Sequence, residues 1–168
     1  MLNFLRKTFA NTLYVRLSPE RLSVLQVESN YLFADVPLVA LEEKKGKKVV
    51  LACGKDALAL ANQPNVSTAN GFKHPRTIIA DFAVAERTLA YFVKQTQKSR
   101  MFQPSPLIVI HPVDEFEGGL TQVEIRALVE LCAMVGARQV YVWHGRELTT
   151  HELETLSFPS NAGKLLFG

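Results

Sequence analysis

Leu107-Ile108-Val109-Ile110 is a run of four aliphatic residues with no polar interruption, and no other feature narrows the possible folds of this chain as far. A strand whose two side-chain faces are both apolar must be covered on both sides, which is the mark of a parallel strand inside an α/β sheet. The flanks agree with that reading. From Asp81, the residues Phe82, Ala85, Leu89, Phe92 and Val93 recur at helical spacing, with Glu86, Lys94 and Lys98 on other faces. This helix should stop before Pro104-Ser105-Pro106. On the other side, Thr121-Gln122-Val123-Glu124 has the form of a capping box, and Ile125, Leu128, Val129, Cys132 and Val135 make an apolar stripe closed by Gly136. Gln139 to Trp143 then supplies a further buried strand.

The front of the chain has a different rhythm. Leu13 to Leu17 and Leu22 to Val27 are β-rich and separated by Ser18-Pro19-Glu20-Arg21, which predicts a hairpin. Val36 to Leu41 and Lys48 to Cys53 continue the β pattern across the turn Glu42-Glu43-Lys44-Lys45-Gly46-Lys47-Lys48. Gly54 to Asn62 reads as a short helix stopped before Pro64, and Gln63 to Asn70 as a polar loop. Strands in antiparallel succession, followed by helices alternating with apolar strands, imply an α/β fold of the ribonuclease-H-like, actin-like type. The expected architecture is a five-stranded mixed sheet in the order 3-2-1-4-5, flanked by helices. The expected organisation is a segment over 1–10, one domain over 11–156 with a small insertion at about 42–76, and a mobile tail over 157–168, where Pro159, Ser160, Asn161 and Gly163 gather.

Composition removes several classes of function. Nineteen basic residues against 16 acidic ones give a net charge of +3, too mild for a nucleic-acid partner without a clustered basic face. Cys53 and Cys132 form no CxxC pair and sit in apolar surroundings, as buried thiols in a reducing compartment do. His74, His111, His144 and His151 lack the short spacings of a zinc site, and the chain has no P-loop, GxSxG or GxGxxG. No metal or cofactor is expected. Asp81 and Glu86 could pair as acid and base, but an acidic first turn complementing the helix dipole is the simpler reading. The sequence has no apolar stretch long enough to span a bilayer and no signal peptide at its start, so a cytoplasmic location is expected. If residues 1–9 are helical, Leu2, Phe4, Leu5 and Phe9 share a face flanked by Arg6 and Lys7, the pattern of a membrane-surface helix; the alternative is a lead-in that docks on the domain itself. Burying four such side chains yields roughly 6–12 kcal/mol gross, against on the order of 9–18 kcal/mol for ordering nine residues. A lone copy would bind weakly, and several copies in one assembly would bind through avidity.

Four stretches, in the same order along the chain, resemble the rod-shape-determining bacterial actins of the MreB family: the amphipathic start Met1 to Phe9; Ile79-Ala80-Asp81-Phe82 with Phe92-Val93-Lys94-Gln95; Pro104-Ser105-Pro106; and Thr121-Gln122-Val123-Glu124 with Arg126-Ala127 and Gly136-Ala137-Arg138. The resemblance covers subdomain IA with a small IB-like insertion and runs out near Trp143. It implies a phosphate loop holding Mg-ATP with Asp, Gly and Thr. Here those places read Arg16, Ser18 and Pro19: a cation that repels the metal, a side chain where the backbone should approach phosphate, and a residue with no amide to donate. The family's water-orienting Glu-Glu-Pro segment is replaced by His144-Gly145-Arg146. These positions are therefore expected to bind no nucleotide and to carry no catalysis. The implied function is that of a non-catalytic, membrane-associated scaffold or modulator of cell shape, with a full-length bacterial actin or a second copy as partner. By analogy with family filaments, its contacts are expected on the helix from about Ala83 to Ser99 and on the Leu2/Phe4/Leu5/Phe9 face. The alternatives are a nucleotide-binding protein or ATPase completed by a partner, and an adaptor of a pilus or division complex.

Overall fold

The computed structural model describes residues 11–97, 104–115 and 117–168. Leu2, Phe4, Leu5 and Phe9, and the end of the helix expected to reach Ser99, lie outside them. The chain folds through β1 (Thr12–Leu17), β2 (Leu22–Gln26) and β3 (Tyr31–Asp35), then β4 (Val39–Lys44), β5 (Lys47–Cys53), α1 (Lys55–Ala59) and β6 (Val66–Ala69). It continues with α2 (Phe82–Thr96), β7 (Leu107–Pro112), α3 (Gln122–Met134), β8 (Gln139–Gly145), α4 (Thr150–Thr155) and β9 (Gly163–Phe167). The main sheet has six strands in the order β3-β2-β1-β7-β8-β9, and a second sheet has the order β5-β4-β6. This is the actin-like α/β fold, and its first five strands follow the expected 3-2-1-4-5 order.

The aliphatic run occupies the centre of the main sheet as β7, buried along its whole length. It pairs in parallel with β1 on one side and β8 on the other. Its alternate residues enter two cores. Ile108 and Ile110 join Leu13, Val15, Leu89, Phe92, Leu128 and Leu131 beneath α2 and α3. Leu107 and Val109 join Tyr14, Trp143, Leu148 and Leu153 on the opposite face, beneath α4. Both helices on the first face begin at side-chain caps. Asp81 accepts the Val84 amide at 3.0 Å, and Thr121 and Glu124 form the expected capping box. Helix α3 ends with Gly136 at φ +96°; the Ala137 amide reaches back to the Cys132 carbonyl and the Gly136 amide to that of Ala133, the hydrogen-bond pair of a Schellman stop.

Four expectations are corrected. The sheet has a sixth strand, because residues 163–167 of the expected mobile tail pair antiparallel with β8. The third strand is Tyr31–Asp35, while the segment expected in that place opens the second sheet at Val39, so the insertion begins before residue 42. Part of the expected loop from Gln63 to Asn70 is β6, which pairs with β4. Helix α4, for which the sequence reading had no element, covers the second face of the sheet. Each missed strand is an edge strand with partly exposed side chains, and such strands lack the unbroken apolar run that marks a central one. Among the described residues, no helix is long and apolar enough to cross a membrane.

Candidate functional site

In an open α/β sheet, ligands gather beyond the carboxyl ends of the parallel strands. Here those ends belong to β1, β7 and β8, and they carry Arg16, His111, His144 and Gly145. The register sets Arg16 directly beside His111. The Arg16 guanidinium turns toward the loop after β8, where Nη1 lies 3.0 Å from Glu147 Oε2. Both side chains are well exposed, so the pair contributes little to stability. Its significance is positional, since it draws the cation across the end of β1.

The turn after β1 closes on itself. The Ser18 amide donates to the Arg21 carbonyl at 2.9 Å, and Ser18 Oγ accepts the Arg21 amide at 3.0 Å. Pro19 has no amide, and its carbonyl accepts Asn70 Nδ2 at 2.7 Å. Asn70 Oδ1 in turn accepts the Phe72 amide at 2.9 Å. A phosphate cradle needs outward-facing N–H groups. In this turn, the Ser18 amide is taken internally, position 19 has none, and the flanking Arg21 amide is held by the Ser18 hydroxyl.

Beneath Arg16 lies a buried relay that the sequence reading did not anticipate. Tyr14 Oη and His111 Nδ1 are 2.6 Å apart, and His111 Nε2 is 2.9 Å from the Gly145 carbonyl. A carbonyl can only accept, so Nε2 carries the proton, Nδ1 accepts from the Tyr14 hydroxyl, and the Tyr14 oxygen accepts the Leu148 amide at 3.1 Å. Burial lowers the His111 pKa to about 4, with the Gly145 hydrogen bond partly opposing it and the Arg16 and His144 charges adding to it. Burial also pushes Tyr14 up to about 12. Neither group can titrate near neutrality, and both ring nitrogens are occupied, so the relay stitches β1, β7 and the loop after β8 together. Tyr14 and His111 are 97 residues apart, too far for any motif to flag them.

The other sequence candidates take structural positions. His144 Nε2 lies 3.4 Å from the Asp114 carbonyl, a long contact. Gly145 lies opposite Gly163 across the β8–β9 ladder. A Cβ on Gly145 would come within 2.5 Å of the Ala162 carbonyl oxygen, and one on Gly163 within 2.5 Å of the Trp143 ring. The two glycines let β9 pass close to Trp143, whose indole N–H donates to the Arg146 carbonyl at 2.8 Å. Arg146 grips Glu152 with two hydrogen bonds, 2.9 and 2.6 Å long. Asp81 serves as the cap of α2. The chain therefore has Arg16, Ser18, Pro19, His144 and Gly145 around one end of the sheet, each held by protein contacts or backbone packing. Among the described residues, no cluster of His, Cys, Asp or Glu is placed to hold a metal ion.

The model of the family described as MreB/Mbl protein matches residues 13–148. The cell shape-determining protein MreB of Pasteurella multocida is 33% identical over 141 residues, covering 82% of this chain and 39% of that protein. That of Escherichia coli K12 is 31% identical over 147 residues, covering 84% and 40%. The chain thus spans about two fifths of the length of the curated relatives it matches. Among solved structures, MreB5 of Spiroplasma citri bound to ADP aligns with a TM-score of 0.58 at 16% identity, over 78% of this chain and 37% of that one. A non-polymerising mutant of MamK bound to AMPPNP gives 0.57 at 15% identity, over 80% and 41%. At these identities the likeness to the solved structures is one of fold.

Proposed function

Because this chain belongs to the MreB/Mbl family, we propose that it is a cytoskeletal protein of cell-shape determination that acts by binding other proteins and does not hydrolyse ATP. The family relationship supports the cytoskeletal part, since its curated relatives are named for determining cell shape. One observation carries the non-catalytic part: β1 has Arg16 near its end in the place of a metal-orienting carboxylate, and the Ser18 and Arg21 amides of the turn that follows are engaged within it. A magnesium ion beside Arg16 would meet a like charge, and a phosphate taking the Ser18 or Arg21 amide would have to break the Ser18–Arg21 bonds. The partners are a full-length bacterial actin or further copies of this chain, met through the exposed side of α2. The setting is the cytoplasmic face of the membrane, reached through Leu2, Phe4, Leu5 and Phe9.

Calorimetric titration of the purified chain with ATP, with and without magnesium, tests the central claim. The expected result is no saturable heat at millimolar nucleotide. Saturable binding would overturn the non-catalytic reading and favour a nucleotide site rebuilt around Arg16. Sedimentation with anionic liposomes tests the anchor, because a variant lacking residues 1–9 should be recovered with the vesicles far less than the intact chain. Equal recovery would remove the anchor from the proposal and leave its cytoskeletal part standing.

A further inference from the structure

The second sheet has an open side. Strand β5 is its edge, and its residues Val49, Val50 and Leu51 are 43%, 37% and 39% exposed. Lys44 and Lys47 flank a two-residue turn in which Lys45 and Gly46 both have positive φ, at 51° and 74°, the type I′ geometry of tight hairpins. Such a turn makes Lys44 and Lys47 a hydrogen-bonded pair, and pairs alternate along an antiparallel ladder. Glu43 with Lys48 and Leu41 with Val50 are then pairs of the other kind, so the backbone N–H and C=O groups of Lys48 and Val50 point away from β4 into solvent.

We propose that this edge is a docking site for an extended acidic segment of a partner protein, which adds to the sheet as a further strand alongside Lys48 and Val50. Strand addition of this kind takes its affinity from main-chain hydrogen bonds and its selectivity from alternate side chains. Charge selects the occupant. Lys44 is paired with Glu42 at 2.7 Å, whereas Lys45, Lys47 and Lys48 have no ion pair among the described residues. Lysines on an edge repel basic strands and discourage neutral ones, and the same ammonium groups become counter-ions for acidic side chains. A lipid surface fits less well, because Val49 and Val50 project to opposite faces and a flat bilayer covers only one. A nucleic acid fits less well because Glu42 and Glu43 sit among the lysines.

The probe is a fluorescein-labelled, N-acetylated peptide of four Val-Glu repeats, titrated into the full chain at low ionic strength and followed by anisotropy. Saturable binding is expected. Reversing charge at Lys47→Glu together with Lys48→Glu should weaken it about tenfold or more, with an unchanged circular-dichroism melt confirming the fold. N-methylating every second amide of the peptide should weaken it to a similar degree, a control that does not depend on any variant folding. No binding of the peptide would overturn the proposal. So would equal binding of the N-methylated peptide, which would reduce the interaction to charge alone, or equal binding of a Val-Lys peptide. Retention of the chain by anionic vesicles or by single-stranded DNA, lost in the double Lys variant while the peptide does not bind, would reassign the lysines to those ligands.

Discussion

Removing the Tyr14 hydroxyl leaves the Leu148 amide proton and the His111 Nδ1 lone pair buried without partners. Stranded polar groups cost about 1–3 kcal/mol each, so Tyr14→Phe should lose about 2–6 kcal/mol in urea denaturation although its ring still fills the same space. His111 adds a pH dependence of definite sign. Its folded pKa of about 4 lies below the usual 6.5, so between those values the unfolded chain binds the additional proton. Stability is therefore full above pH 6.5, falls as pH drops toward 4, and takes no further loss from this group below that. Stability curves measured across this range should flatten in His111→Asn. The expectation that Arg16, Ser18 and Pro19 do not hold phosphate rests on residue type alone, because charge, Cβ and a missing amide are local properties. The Tyr14–His111 relay could not be read that way, since its function exists only once β1 and β7 are adjacent.

The strands and helices that the sequence revealed are those that announce themselves chemically. Strand β7 is apolar on both faces, α2 and α3 carry long apolar stripes, and Thr121 and Glu124 spell a capping box. Strand β9 has none of this: it lies at the sheet edge, and its essential residue, Gly163, looks like a loop glycine until Trp143 is seen beneath it. Gly163→Ala should push a methyl group into the Trp143 ring and the His144 carbonyl. The expected outcome is a loss of about 1–3 kcal/mol and a red-shifted emission from Trp143, the only tryptophan in the chain. Helix α4 was missed because six residues are too few to show a period, although Thr149 and Glu152 form a capping box that a search for caps alone would have found. Glu152 is held down to about 2, chiefly by Arg146 and then by the Thr149 backbone. The stability it lends to α4 is present above its unfolded value of 4.5 and disappears as pH falls toward 2. Amide exchange in α4 should accelerate relative to α3 over that window, and Glu152→Gln should show the fast rate throughout.

The second sheet could have been a loosely tethered module, but both of its connections are clamped. At the entry, Asp35 accepts the Val36 amide at 2.7 Å and the Lys55 amide at 3.1 Å, and the absence of a Cβ at Gly54 lets its carboxylate approach. At the exit, Asn70 joins the Pro19 carbonyl to the Phe72 amide, and Gly71 packs so tightly on the backbone of α2 that a Cβ there would collide with the Ala85 amide. Val39, Leu41 and Cys53 also share a small core with Val84. The two sheets should therefore unfold together, with Trp143 fluorescence and far-UV circular dichroism tracing coincident urea transitions. Gly71→Ala should separate the two curves or lower both midpoints. The relay at the end of β1 has a further consequence for the order of events during synthesis. Tyr14 must wait for Leu148, 134 residues later, and at ribosomal speeds of roughly 5–20 residues per second that wait is on the order of 10 s. For most of that interval β1 also lacks its parallel neighbour β7, which begins only at Leu107, and the half-made protein depends on the β1–β2–β3 meander, or on a chaperone, to keep its apolar strands from the wrong neighbours.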